Sequence, residues 1–193
     1  MIKEQQNNMN YVRIGSKVPT AVWKTRVRDE TIKSQNPYKW EDMTTGSVFD
    51  NKRVLVFSLP GAFTPTCSTF QLPGYEDNAD DFYSAGIDDI YVISVNDAFV
   101  MNRWAQTVVQ EGLNNVKVIP DGNGDFTKAI NMDVEFNNRG FGMRSWRYAM
   151  VVDNGVITHW FEEPGKCRDS ESDPYEVTSP EYVLNAITVD INK

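Results

Sequence analysis

Cys67 stands seven residues after Pro60 and three after Thr64, in the run Pro60-Gly61-Ala62-Phe63-Thr64-Pro65-Thr66-Cys67-Ser68. A thiol in the first turn of a helix faces unpaired amide N–H groups and the positive end of the helix dipole, both of which favour the thiolate, the nucleophilic form of sulfur. Thr64 and Pro65 make a good helix start, an N-cap hydroxyl followed by a first-turn proline. The Thr64 hydroxyl can also donate to, or accept from, a substrate oxygen. By residue type alone the same position suits a small buried hydrophobe, with the prolines merely shaping a turn. The other cysteine, Cys167, falls in the polar stretch Glu163 to Val177, which is long for a connection in a compact domain and so a candidate for function. Two cysteines and a single histidine, His159, cannot furnish the four ligands of a structural zinc site, so metal chemistry from thiolates and imidazoles is not expected; no cofactor is expected.

The element that must deliver Cys67 is the apolar run Arg53 to Leu59, which ends at Pro60-Gly61 and reads as a central strand buried on both faces. Beyond it the spacing predicts a helix kinked or broken at Pro73-Gly74, with helical spacing restored from Asp77 to Ser84. Ile90 to Val95 and Val116 to Ile119 are further buried strands. Between them Asp97 caps a helix carrying Ala98, Met101, Ala105 and Val108 on one face. Tyr148 to Val152 and Val156 to Phe161 flank Asp153-Asn154-Gly155, a strong hairpin signal that also makes His159 an ordinary sheet residue. Ser179 caps a last helix with Pro180 at its first position and Val183, Leu184 and Ile187 on one face. Upstream, Val22 to Trp40 reads as strands joined by a loop at Gln35 to Pro37, and residues 1–11 as a frayed terminus.

The 193 residues carry 19 Lys and Arg against 27 Asp and Glu, a net charge of −8, so nucleic acid and anionic membrane surfaces are poor partners. The opening residues lack the apolar core of a secretory signal and are too acidic and amide-rich for a transit peptide. No run approaches the apolar length that crosses a bilayer. The expected location is the cytoplasm, where both cysteines rest as thiols.

Pro60, Thr64 and Cys67 meet, residue for residue, the Pro-x-x-x-Thr-x-x-Cys signature of the peroxiredoxins, thiol peroxidases of the thioredoxin superfamily, and the chain resembles that family. The longer run, with Leu72-Pro73-Gly74-Tyr75, looks like the subgroup of plant type II and atypical two-cysteine members. So do Lys24 to Glu30, Val92 to Met101, Pro120-Asp121-Gly122 and Arg144-Ser145-Trp146-Arg147-Tyr148, blocks spread from Val12 to Ile187. The resemblance implies an α/β thioredoxin-like fold, a mixed central sheet flanked by helices with an extended N-terminal segment, forming a single domain over 12–193. It implies that Cys67 attacks peroxide, that Thr64 orients it and that Pro60 shields the pocket. Arg147 would steady the thiolate and the departing oxygen, with Arg144 as a neighbour; a surface salt bridge is the alternative for Arg147. Cys167 falls where the atypical members keep a resolving cysteine. The alternative is an incidental exposed thiol, with glutathione, glutaredoxin or thioredoxin as external reductant. A homodimer formed through loops near the active site is also implied. Gln71 stands where the subgroup usually has histidine; it can exchange hydrogen bonds but cannot titrate near neutrality. A thiol-disulfide oxidoreductase is disfavoured because no second cysteine lies two residues from Cys67. A stoichiometric redox sensor using the same thiol is the non-enzymatic alternative, separated by whether peroxide turns over.

Overall fold

The computed structural model describes residues 12–191, so the reading of 1–11 as a frayed terminus lies outside the described residues. Among the described residues nine strands and six α-helices follow one another. The first two strands, β1 (Val22–Arg28) and β2 (Tyr38–Thr44), pair antiparallel as a separate two-stranded ribbon. Thr44 and Ser47 then close a reciprocal capping box that starts the short helix α1 (Thr45–Phe49).

The central sheet is built from β3 (Arg53–Ser58), β4 (Asp89–Ser94), β5 (Val116–Pro120), β8 (Tyr148–Asp153) and β9 (Val156–Glu162), in the order β5-β4-β3-β8-β9. The first three run parallel and β8 runs antiparallel to β3, the mixed sheet expected from the resemblance. Asn154 and Gly155 both take positive φ in the β8–β9 turn, as the Asn-Gly signal requires. Because successive strand side chains alternate sides, Val54 and Val56 of β3 join one apolar cluster and Leu55 and Phe57 the other. Trp23, α1 and α5 (Asp125–Ala129) cover the first face. The opposite face receives α2 (Leu72–Asp77), α3 (Ala79–Ser84), α4 (Ala98–Thr107) and α6 (Pro180–Ile191). Among the described residues no helix is long and apolar enough to cross a membrane.

Three local readings are corrected. The helix after Cys67 does not break at Pro73-Gly74. A π-turn over Cys67–Gln71, closed by the Leu72 N–H on the Cys67 carbonyl, comes first, and the chain then passes through Pro73 into α2. Pro73 has no N–H to offer, and the wider turn before it relieves the clash its ring makes in a regular helix. The break falls instead at Asn78, between α2 and α3. On α4, Trp104 is a buried member of the inner face that the spacing argument passed over. Finally, β6 (Asp133–Phe136) and β7 (Gly142–Ser145) form a short antiparallel pair in a region assigned no element.

Candidate active site

Strand β3 carries the chain to Pro60, which is buried, and the backbone then turns sharply. Phe63 sits at φ 64 with its ring exposed, a left-handed conformation that costs a non-glycine residue energy and marks a constrained turn. The turn is held from inside by the Thr64 hydroxyl, which donates to the Gly61 carbonyl at 2.8 Å. From outside it is held by Asn96, whose Oδ1 accepts from the Ala62 N–H at 3.0 Å. Asn96 follows β4, parallel to β3, so both loops emerge at the carboxyl edge of the sheet, where open α/β sheets form their crevices. A Cβ at Gly61 would fall 2.8 Å from Arg144 Nη1, so a glycine there lets the Arg144 side chain lie against the loop. Arg144 itself is half-buried and holds the Phe141 and Val95 carbonyls.

Cys67 opens the π-turn and is 1% exposed. Arg147 reaches it from 80 positions away for a topological reason: β8 is antiparallel to β3 with Ser58 opposite Tyr148, so the residue before β8 stands beside the end of β3. Arg147 Nη1 donates to Cys67 Sγ at 3.5 Å and also to Gln71 Oε1. The Arg147 side chain is 1% exposed, which removes the surface salt bridge as its description. Burial works against its charge, yet the opposing charges of Cys67 and Asp173 more than offset this and push the guanidinium above its ordinary value.

Gln71 is fully buried, and its amide nitrogen has no hydrogen-bond partner among the described residues. It therefore gives Arg147 a neutral acceptor that does not change charge with pH. The structure thus gathers Pro60, Thr64, Cys67, Gln71 and Arg147 around one turn.

Cys167 is not gathered with them. It is exposed and free, between Lys166, which donates to the Asn131 carbonyl, and Arg168, which pairs with Glu135 at 3.1 Å. Its neighbour β6 packs on the first face of the sheet, whereas Cys67 belongs to the cluster on the other.

Residues that sequence reasoning missed come from the long loop. Asp173 accepts from Arg147 Nη2 and the Pro174 carbonyl from Arg147 Nε at 2.9 Å. The Tyr175 ring lies 5.6 Å from the guanidinium carbon, and burial, with the nearby Glu181 charge adding to it, pushes its hydroxyl up to about 12, so it stays neutral. Glu163 ties this loop at both ends. Its N–H donates to the Arg147 carbonyl, while its Oε1 accepts from the Glu176 N–H (2.7 Å), the Thr178 N–H (2.9 Å) and the Thr178 hydroxyl (2.8 Å). Replacing Glu163 by Ala strips three donors of their acceptor, two of them buried. The expected loss is roughly 2–4 kcal/mol of unfolding free energy, read as a lower urea midpoint at unchanged slope.

Comparison with known proteins gives consistent relatives. Residues 14–177 match the Redoxin family. A peroxiredoxin of Rhizobium etli is 56% identical over 170 residues, covering 88% of this chain and 93% of that protein. Among solved structures, the Plasmodium falciparum antioxidant protein, described as a 1-Cys peroxiredoxin, is similar with a TM-score of 0.82 at 34% identity, over 91% of this chain and 99% of that one. Reduced Prx3 of Vibrio vulnificus in complex with hydrogen peroxide is similar with a TM-score of 0.76 at 33% identity, over 91% and 99%.

Proposed function

The chain belongs to the peroxiredoxins of the Redoxin family, and from that premise we propose that Cys67 is the sulfur that performs its thiol-dependent peroxidase activity. The single observation that carries this is the Arg147 Nη1 to Cys67 Sγ contact in a buried, strained turn at the sheet's carboxyl edge. The thiolate attacks the terminal oxygen of a hydroperoxide. An S–O bond forms as the O–O bond breaks, and the departing oxygen takes up a proton and leaves as water or an alcohol. Arg147 stabilises the charge that moves from sulfur to that oxygen, Thr64 orients the peroxide and Pro60 closes the pocket against water. Hydrogen peroxide and alkyl hydroperoxides are the substrates of this reading; the Vibrio relative was solved with the first of these.

A thiol then attacks the sulfenic acid, forming an S–S bond and releasing water. The reading favours an external thiol of the glutathione, glutaredoxin or thioredoxin class over Cys167, because Cys167 lies beside β6 in a loop tied down by Glu163 and Asp173. Resolution by Cys167 would need that loop to open until the two Cα atoms come within roughly 7 Å. Treatment with one equivalent of peroxide at low protein concentration should yield a trappable sulfenic acid, and Cys167→Ser should keep its turnover with glutaredoxin and glutathione. A Cys67–Cys167 cross-linked peptide in a non-reducing map would assign the resolving role to Cys167.

The reading extends to a single domain over residues 12–193, in a reducing compartment, the cytoplasm, in keeping with two free cysteines. It includes a homodimer, supported by Phe63 and Phe70, rings 56% and 60% exposed on either side of Cys67.

A further inference from the structure

The hydrogen bonds of Arg147 are unevenly shared. Nη1 alone serves the reacting sulfur and Gln71. The opposite edge of the guanidinium, Nη2 and Nε, is held by Asp173 and the Pro174 carbonyl, and its face by Tyr175, three successive residues of one loop. A guanidinium is planar and rigid, so fixing Nη2 and Nε fixes the direction of Nη1. Gln71 cannot do this alone, since one acceptor leaves the plane free to swing about that contact.

We propose that Asp173 is a positioning residue for the peroxidase reaction: by holding the far edge of Arg147 it aims Nη1 at Cys67, without touching the sulfur itself. This rests on the reading of Arg147 given above. The competing explanation is that Asp173 only compensates a buried charge. The two differ in what they require, because aiming needs an oxygen acceptor at that position and compensation needs a negative charge.

Two substitutions at Asp173 and one background test it. Asp173→Ala removes the acceptor and should slow peroxide oxidation of Cys67 by about 10- to 100-fold, the scale of a misplaced catalytic group. Alkylation of Cys67 by iodoacetamide, which has no O–O bond for Arg147 to polarise, should change far less. Asp173→Asn keeps an oxygen for Nη2 without the charge and should restore most of the peroxide rate. In an Arg147→Met background, Asp173→Ala should add nothing further, since it acts through the group already removed. The inference is overturned by a wild-type rate in Asp173→Ala, by equal losses in the Asn and Ala variants, by peroxide and iodoacetamide rates that fall together, or by additive losses in the double variant. An Arg147→Met variant that reacts like wild type overturns the reading of Arg147 itself, and this inference with it.

Discussion

Cys67→Ser should end peroxide consumption, leaving no turnover above the uncatalysed background. At neutral pH a serine hydroxyl is a far weaker nucleophile than a thiolate, and the site offers no base to activate it. Arg147 keeps its proton, Thr64 Oγ1 is engaged with the Gly61 carbonyl, and Gln71 is an amide. The substitution changes one atom in a site that is already 1% exposed, so folding should be retained. Peroxide loss followed in the presence of excess dithiol is the measurement, and retention of a substantial fraction of the wild-type rate would remove Cys67 from its assigned role.

Arg147→Met should slow the second-order oxidation of Cys67 by ~10²- to 10³-fold, the cost of one donor aimed at charge that develops in the transition state. The methionine fills much of the cavity but offers nothing to Sγ, to Gln71 Oε1 or to Asp173. The last then becomes a carboxylate facing an apolar side chain. Arg147→Lys should recover only part of the rate. An ammonium on a flexible stem cannot hold Asp173, Pro174 and Gln71 together while also reaching the sulfur. Stopped-flow oxidation at several peroxide concentrations separates these cases, and wild-type constants in the Met variant would show that the guanidinium plays no part in the chemistry.

Much of this site is local in sequence, which is why it could be read there. Pro60, Thr64 and Cys67 lie within one strand-to-helix turn, and the apolar run before them and the Asn-Gly hairpin after them are strong short-range signals. Arg147 became legible only through family resemblance, since no spacing rule links it to a cysteine 80 positions away. The strand register that joins them is a property of the folded sheet. Asp173 and Pro174 sit in a loop without periodicity, and Asn96 looks like any polar residue after a strand. Nothing in their neighbours announces that they hold Arg147 or the Ala62 amide. Strand β6 alternates exposed and buried residues over only four positions, too few to separate from chance. Pro73 by itself signals a helix break, but the π-turn just before it takes up the strain, and the break falls at Asn78.

The way Glu163 fastens the loop over Arg147 sets up a race after the first chemical step. On the reading proposed above, the thiol that reduces the oxidised sulfur must reach a residue only 1% exposed, beside a loop held by Glu163 and Asp173. Until it does, a second peroxide can carry the sulfenic acid on to the sulfinic state, which ordinary thiols do not reverse. On that reading the lifetime of the intermediate should lengthen with the strength of the contacts that hold this loop, among them the three hydrogen bonds to the Glu163 carboxylate. Loosening them costs stability and gains endurance.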